Sequence, residues 1–217
     1  MIALQIDDKK VKVAEGTNLL EACLDNGIYI PNLCHLKGMQ HPPASCRLCF
    51  VEIEGSDHPV CACSTRVVRK MSVRTNTPGV RRLQKTALQL LLSAHDVDCK
   101  NCPANRQCAL QDMAKLLKVA LKTKSLDQLL KETRIDASHP FLDHYPNRCV
   151  LCGKCVYVCR RQHNRAGLTF ARRGIDTVIA FYDHPQTEQL TCDTCQTCVE
   201  VCPVAALLPK LEHTEQR

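Results

Sequence analysis

A histidine and three cysteines stand close together in HDVDCKNCPANRQC, the stretch that spans residues 95–108. His95 is followed by Cys99, Cys102 and Cys108, so the pattern is H-x3-C-x2-C-x5-C. Thiolate and imidazole groups are metal ligands, and three thiolates leave a four-iron cluster one ligand short. We therefore expect His95 to complete the ligand set of a [4Fe-4S] cluster.

Two longer runs of cysteine repeat one pattern nearer the end of the sequence. CVLCGKCVYVC and CDTCQTCVEVC both have the spacing C-x2-C-x2-C-x3-C, which is typical of bacterial ferredoxins with two clusters. In such proteins the fourth cysteine of each run ligates the cluster of the other run. The first run departs from the pattern in having Arg160 where proline is usual. The two expected [4Fe-4S] ligand sets are Cys149, Cys152, Cys155 and Cys202, and Cys192, Cys195, Cys198 and Cys159.

A fourth group of cysteines lies in the first third of the sequence. Cys34, Cys46 and Cys49 have the spacing C-x11-C-x2-C, a longer relative of the plant-type C-x4-C-x2-C pattern. Three cysteines from one loop and one from a later strand is how a [2Fe-2S] cluster is held. The residues themselves leave Cys61 and Cys63 as alternatives for the fourth ligand.

The composition favours metal clusters over disulfides. Seventeen of the 217 residues are cysteine, aromatic residues make up 4%, and tryptophan is absent, so the side chains that build large cores are scarce. The opening sequence MIALQIDDKKVKV has no apolar signal region, and no apolar run approaches the length of a membrane span. We expect a cytoplasmic protein, because clustered cysteines in a reducing compartment are more often metal ligands than disulfides.

The net charge of +7 allows two interpretations. A basic chain with paired C-x2-C units fits a zinc-dependent nucleic-acid-binding protein. Alternatively, one [2Fe-2S] and three [4Fe-4S] clusters, with about 14 iron atoms, contribute a charge of about −7. The basic residues then compensate for anionic clusters. Two complete four-cysteine runs exceed what a zinc ribbon needs, so we favour the iron–sulfur interpretation.

The sequence around the first cysteine group predicts a small sheet with one helix. MIALQI and KKVKV alternate on either side of DDKK, which predicts a hairpin. Thr17 is a candidate cap for the helix NLLEACLDN, which ends at Gly27, and Cys23 in this helix is predicted to be a small buried residue. SCRLCFVEIEG and CACSTRVVRKMSV are rich in strand formers.

Two helices flank the histidine-containing group. RRLQKTALQLLLSAHD and NRQCALQDMAKLLKVAL are amphipathic, and the first is predicted to turn Leu83, Leu90 and Leu91 toward the core. Further along, SLDQLLKETR predicts a short helix and SHPFLDHYP an extended segment. His139 and His144 in that segment have no cysteine at ligand spacing, so we predict surface or packing roles for them.

These elements predict an α+β fold made of three modules. Residues 1–76 are expected to form a [2Fe-2S] ferredoxin-like module of the β-grasp type. Residues 77–120 are expected to form a small helical [4Fe-4S] module whose ligands are one histidine and three cysteines. Residues 121–140 form a connector. Residues 141–217 are expected to form a 2[4Fe-4S] module like that of bacterial ferredoxins.

Several stretches resemble known iron–sulfur proteins. CACSTRVVRKMSV resembles the A-C-x-T…M-x-V signature of the ferredoxin-like module in NADH dehydrogenases and iron-only hydrogenases, and this resemblance selects Cys63 as the fourth [2Fe-2S] ligand. The H-x3-C-x2-C-x5-C pattern resembles the His-ligated cluster of the same proteins. In module order, the chain resembles the N-terminal region of the respiratory NADH dehydrogenase large subunit. CHLKG, CRLCFVEIEG, CALQDMA, SHPF and NRCVLCGKCV resemble the small iron–sulfur subunit of the diaphorase unit in bidirectional NAD(P)-linked nickel–iron hydrogenases.

The resemblance implies an electron-relay subunit with two kinds of partner. A flavin- and NAD(P)-binding diaphorase subunit is expected at one end and the hydrogenase small and large subunits at the other, without nucleic acid and without direct membrane insertion. The sequence contains neither G-x-G-x-x-G nor a P-loop, so we expect no catalytic residue and no substrate site in this chain. An NAD-linked formate dehydrogenase, an electron-bifurcating complex and an NADH dehydrogenase carry the same motifs and are the alternative settings for the relay.

Overall fold

The computed structural model describes residues 1–122, 126–164, 166–182 and 192–210. They divide into two compact units, one built from residues 1–90 and 113–119 and the other from residues 91–112 and 120–217. No helix in the described part of the chain is long and apolar enough to cross a membrane.

A five-stranded mixed sheet organises the first unit. Its strands are β1 (Ile2–Ile6), β2 (Lys9–Val13), β3 (Phe50–Ile53), β4 (Val60–Cys61) and β5 (Ser72–Arg74). Their order is β2-β1-β5-β3-β4, and only the pairing of β1 with β5 is parallel. Ile2, Leu4 and Ile6 are buried while the residues between them are exposed, as in a strand with one face on the core. The predicted hairpin is confirmed, since Ile6 pairs with Lys9.

Helix α1 (Leu19–Asp25) packs its apolar residues into the core of the first unit. Its cap is Asn18, so the prediction of Thr17 is wrong. The side-chain oxygen of Asn18 accepts two N–H groups of the first turn at 3.0 and 3.3 Å, whereas the Thr17 hydroxyl donates to a carbonyl outside the helix. The side-chain amide of Asn18 also donates to the Cys63 carbonyl, which ties the start of α1 to a candidate ligand. Cys23 is fully buried in this helix, as predicted.

Helix α2 (Pro78–Ser93) buries a different face from the one predicted. Leu90 is 57% exposed, and Leu83 and Leu91 are half-buried. A polar residue explains the difference, because the Gln84 side chain is fully buried and donates to a carbonyl of β3 at 3.2 Å. The buried residues of this helix are Val80, Gln84, Ala87, Leu88, Leu92 and Ser93. The next predicted helix is confirmed as α3 (Ala109–Leu117).

Short helices and two small sheets make up most of the second unit. Its further elements are β6 (Leu142–His144), α4 (Lys154–His163), β7 (Leu168–Ala171), β8 (Val178–Phe181), α5 (Cys192–Cys195), α6 (Thr197–Glu200) and β9 (Leu207–Pro209). Strand β6 pairs with β9, and β7 pairs with β8, both antiparallel. The β7–β8 hairpin lies between the two cysteine runs in the sequence, and the small apolar cluster of this unit contains cysteines of the first run.

The helix predicted for SLDQLLKETR is wrong where the structure describes that stretch. Residues 126–134 contain no helix. Their backbone bonds to other segments of the second unit instead, which removes the need for helical bonds. The Asn147 side chain accepts the N–H of Lys131 at 2.7 Å and donates to its carbonyl at 3.0 Å, and the N–H of Leu129 donates to the Ser93 carbonyl at 2.7 Å.

Candidate metal centres

Five cysteines of the first unit are buried and lie near one another. They are Cys34, Cys46, Cys49, Cys61 and Cys63. The Sγ atoms of Cys34 and Cys46 are 3.4 Å apart, and the thiol of Cys63 interacts with those of both Cys34 and Cys49. Cys61 interacts with Cys49 and also receives Arg47 Nη1 at 3.5 Å from its Sγ. Cys63 therefore interacts with two of the other three predicted ligands, whereas Cys61 interacts with one of them and with a cationic side chain.

Short elements of the local backbone position these thiols. Cys63 lies in a single turn of 3-10 helix, Ala62–Ser64, which directly follows β4. The Ala62 N–H donates to the Cys49 carbonyl at 2.9 Å, so the last strand and the ligand-bearing loop are joined next to the site. Arg47, between two candidate ligands, has a φ of 53°, a left-handed conformation that turns the loop sharply.

The electrostatics of this group fit a bound cation. Contact with Cys34, together with burial, raises the pKa of Cys46 above its ordinary value. Contact with Cys34 also raises the pKa of Cys63 to about 12. Hydrogen bonds from Cys46 and Cys63 lower the pKa of Cys34, so one thiolate is stabilised at the expense of its neighbours. Further thiolates form only when a metal compensates for their charge. A set of convergent, buried sulfur donors is suited to a [2Fe-2S] cluster.

The hydrogen bonding of His95, in the second unit, leaves one ring nitrogen available as a metal ligand. It is 9% exposed, and its Nδ1 lies 2.9 Å from the Arg148 carbonyl oxygen. A carbonyl only accepts, so in the neutral ring Nδ1 carries the hydrogen and Nε2 keeps its lone pair for a metal. Burial lowers the pKa of His95, which favours that neutral form.

The three cysteines that follow His95 occupy a compact loop. Cys99 begins a 3-10 turn, Cys99–Asn101, and Cys108 is buried directly before helix α3. Burial raises the pKa of Cys108, and the charges of Cys102 and Cys99 act in the same direction. The structure thus brings the three predicted thiol ligands within electrostatic reach of one another.

Two cavities in the second unit each draw cysteines from both four-cysteine runs. One is lined by three cysteines of the first run and the last of the second: Cys149, Cys152, Cys155 and Cys202. The other is lined by three cysteines of the second run and the last of the first: Cys192, Cys195, Cys198 and Cys159. The cysteines are grouped around the two cavities as the spacing predicts, and their role as cluster ligands stays a prediction.

Backbone and burial shape the surroundings of these sulfurs. The Ala206 N–H donates to Cys202 Sγ at 3.2 Å, and the Leu151 N–H donates to Cys149 Sγ at 3.4 Å. Such donors favour the anionic form of a ligand sulfur. Gly153, in the middle of the first run, has a φ of 74°, and the ring of Phe170 leaves only 3.3 Å for an added Cβ.

Two histidines that the sequence predicted as surface or packing residues line these cavities. His144 is 1% exposed and lies on the cavity of the Cys149 set, and His139 lies on the cavity of the Cys192 set. The N–H of Phe141 donates to His139 Nδ1 at 3.1 Å. Spacing gave no signal for either residue, because strand β6 and the segment before it bring them to the cavities.

The described residues do not favour a single-ion site. No group of three or more histidine, cysteine, aspartate or glutamate side chains in that part of the chain is arranged to hold one metal ion. A structural zinc ion requires four ligands at about 2.0–2.3 Å from a single point. In a [4Fe-4S] cluster each protein ligand binds a different iron, so the ligands are spaced more widely than around a single ion.

Three sequence families match successive parts of the chain. Residues 1–78 match a "2Fe-2S iron-sulfur cluster binding domain". Residues 84–120 match the "NADH-ubiquinone oxidoreductase-G iron-sulfur binding region". Residues 148–206 match a "4Fe-4S dicluster domain". All three are iron–sulfur families, which decides against the zinc-dependent nucleic-acid-binding interpretation. The chain is a mixed α/β protein with [2Fe-2S] ferredoxin-like and [4Fe-4S] dicluster regions.

Similar proteins extend over nearly the whole chain. The NADPH-Fe(3+) oxidoreductase subunit alpha of Geobacter sulfurreducens is 36% identical over 97% of this chain and 24% of its own length. The NADP-reducing hydrogenase subunit HndD of Solidesulfovibrio fructosivorans is 32% identical over 96% of this chain and 36% of its own length. The NADH-ubiquinone oxidoreductase 75 kDa subunit of Reclinomonas americana is 29% identical over 97% of this chain and 30% of its own length. The chain therefore spans only about a quarter to a third of these relatives.

A solved structure matches at the level of the complete fold. A chain in the crystal structure of NAD+-reducing [NiFe]-hydrogenase in the H2-reduced state superposes with a TM-score of 0.84 and 29% identity. The match covers 100% of this chain and 90% of the hydrogenase chain. The resemblance found in the sequence is confirmed, and the chain is an iron–sulfur protein related to subunits of NAD(P)-linked hydrogenases and NADH dehydrogenases.

Proposed function

We propose that the chain is the iron–sulfur electron-relay subunit of a multisubunit NAD(P)-linked oxidoreductase. It carries electrons between a flavin- and NAD(P)-binding diaphorase subunit and the small and large subunits of a nickel–iron hydrogenase. The observation that carries this proposal is the similarity to a chain of NAD+-reducing [NiFe]-hydrogenase, which extends over all of this chain and 90% of that one.

The proposed cofactors are one [2Fe-2S] cluster and three [4Fe-4S] clusters. Support comes from the grouping of the thiols in the first unit, the anchored ring of His95 and the two cavities of mixed cysteine origin. The [2Fe-2S] ligands are Cys34, Cys46, Cys49 and Cys63. The [4Fe-4S] ligand sets are His95, Cys99, Cys102 and Cys108; Cys149, Cys152, Cys155 and Cys202; and Cys159, Cys192, Cys195 and Cys198.

The protein's own side chains hold and insulate these groups. Iron–sulfur clusters supply one-electron redox chemistry when bound. The thiolates fix the positions of the clusters, and the Arg148 carbonyl holds the His95 ring in the tautomer that a metal requires. Buried apolar residues around the cavities exclude water. The net charge of +7 on the polypeptide offsets the negative charge of the clusters and their thiolates. The proposal places no catalytic residue or substrate site on this chain.

The proposed division into modules follows the ligand sets. Residues 1–76 form the β-grasp [2Fe-2S] module, residues 77–120 the helical module with the His95 ligand set, and residues 141–217 the ferredoxin-like 2[4Fe-4S] module, with a connector over 121–140. The mixed sheet with α1 packed into its core supports the β-grasp assignment. The two cavities of shared cysteines support the ferredoxin-like assignment.

A second setting for the same relay is a different NAD(P)-linked oxidoreductase. The 36% identity to an NADPH-Fe(3+) oxidoreductase subunit favours this candidate, and a formate dehydrogenase, an electron-bifurcating complex or an NADH dehydrogenase belongs to the same group. In every setting we propose a cytoplasmic location, stable contacts with the partner subunits, and neither nucleic-acid binding nor direct membrane insertion.

Anaerobic affinity purification from the native cell tests the proposal. We expect a brown complex that contains a flavin subunit and a nickel–iron hydrogenase pair, with about 14 irons contributed by this chain. A different terminal enzyme in the same preparation would replace the hydrogenase but keep the relay. A colourless preparation, or one in which zinc replaces iron, would refute the relay itself.

Two serine variants test the choice between the two candidates for the fourth [2Fe-2S] ligand. Cys63→Ser is expected to abolish the [2Fe-2S] EPR signal, because Cys63 interacts with both Cys34 and Cys49. Cys61→Ser is the matched control and is expected to preserve that signal. The opposite pattern would assign the ligand to Cys61.

A further inference from the structure

The imidazole of His144 is a buried polar group without a visible partner. The residue is 1% exposed, and neither Nδ1 nor Nε2 has a hydrogen-bond partner among the described residues. Its backbone is paired, since its N–H donates to the Asp136 carbonyl at 2.9 Å and its carbonyl accepts the Asp136 N–H at 2.8 Å. The strand is therefore fixed in place, and only the ring is left unsatisfied.

A neutral imidazole has one N–H to donate. Burial lowers the pKa of His144 to about 4, so the ring is neutral near pH 7. A buried N–H that lacks an acceptor destabilises the folded state, and native proteins rarely tolerate one. The His144 N–H therefore requires a hydrogen-bond acceptor that is not part of the described polypeptide.

The cavity beside the ring provides space for such an acceptor. His144 lines the same cavity as Cys149, Cys152, Cys155 and Cys202. The other side chains on its wall are apolar: Val150, Ile179, Pro203, Val204, Ala206 and Leu207. Among the described residues, sulfur is therefore the only side-chain acceptor chemistry that this wall presents.

We propose that His144 donates its N–H to an inorganic sulfide of the [4Fe-4S] cluster held in this cavity. The inference rests on the proposed function, because it requires a cluster at that position. Reduction adds one negative charge to the cluster, and hydrogen bonds to more highly charged acceptors are stronger. The N–H therefore stabilises the reduced form more than the oxidised form and raises the reduction potential. His144 is a positioning and tuning residue, not a ligand.

The test compares three variants of the full chain in its native complex. His144→Leu removes the donor, and His144→Gln supplies an amide donor in its place. His58→Leu, at an exposed position of the first unit, is the control for removing a histidine. Iron content and EPR spin counts are measured first, followed by EPR-monitored redox titration of each [4Fe-4S] signal.

We expect one [4Fe-4S] signal to titrate at lower potential in His144→Leu, at unchanged spin count. A tenfold loss in the equilibrium constant for reduction corresponds to a shift of about 59 mV for a one-electron couple. His144→Gln should recover most of that shift, and His58→Leu should show none. In wild-type protein, exchange into D2O should remove a proton coupling from the same signal, and His144→Leu should lack that coupling from the start.

Three results would overturn the inference. Unshifted signals at full spin count in His144→Leu would show that the ring makes no bond to the cluster, while leaving the cluster assignment intact. Loss of the cluster in both His144→Leu and His144→Gln would show that the ring serves packing rather than donation. Absence of [4Fe-4S] signals from the wild-type complex would refute the proposed function itself. The wild-type complex is therefore measured before any variant.

Discussion

Replacement of Asn18 should loosen the [2Fe-2S] site although the residue is not one of the proposed ligands. Asn18→Ala removes the cap of α1 and also the donor to the Cys63 carbonyl. Loss of an N-cap costs about 0.5–2 kcal/mol, and a buried acceptor left without a partner costs about 1–3 kcal/mol. The residue is 3% exposed, so water offers little compensation. Together these losses amount to about 1.5–5 kcal/mol.

The effect is measured as a rate, because proteins with tightly bound clusters do not unfold reversibly in two states. Loss of the visible circular dichroism of the [2Fe-2S] cluster is followed in urea at a fixed concentration. If both interactions are absent from the transition state, a loss of about 1.5–5 kcal/mol accelerates unfolding by at most about 12-fold to 4,000-fold.

Asn18→Ser separates the two contributions. A serine hydroxyl can cap the helix but is too short to bridge to the Cys63 carbonyl, so this variant should fall between wild type and Asn18→Ala. Equal rates for Asn18→Ser and wild type would show that the bond to Cys63 contributes nothing. Equal rates for all three proteins would refute the role of Asn18 altogether.

The remaining predictions concern the second unit. His95→Cys should keep its cluster but lower the reduction potential in an EPR titration, because a thiolate replaces a neutral imidazole; an equal or higher potential would contradict the ligand assignment. Gly153→Ala should speed loss of the [4Fe-4S] absorbance, since it adds left-handed strain of about 1–2 kcal/mol and a clash with Phe170. Gly174→Ala is the control, because its φ is also positive but nothing lies within 4 Å of the added Cβ. If both substitutions speed the loss of absorbance equally, the Phe170 ring moves aside and its contact with the added Cβ costs nothing.

The cysteine spacing predicted much of the candidate site. Ligand spacing is a local property of the sequence, and it anticipated that the last cysteine of each run lines the cavity of the other run. Alternation in MIALQI likewise predicted β1, because one face of that strand is buried.

Features that depend on tertiary contacts were not predicted. The face of α2 was misassigned because a buried Gln84 bonds to β3, which apolar periodicity does not register. The helix expected near Leu129 is absent because Asn147 and Ser93 satisfy the backbone of that segment. His144 was predicted to be a surface or packing residue, because a strand pairing and not a sequence interval carries it to the cavity.

The exchange of cysteines between the two cavities has a consequence for biosynthesis. During translation the three thiols at Cys149, Cys152 and Cys155 emerge long before Cys202, which completes their cavity. The other cavity becomes complete only when Cys198 appears, four residues before Cys202. Neither four-thiol set can exist while the first run is alone outside the ribosome. The nascent chain thus carries unfinished, oxidisable thiols, and both sites become ready for iron at nearly the same moment.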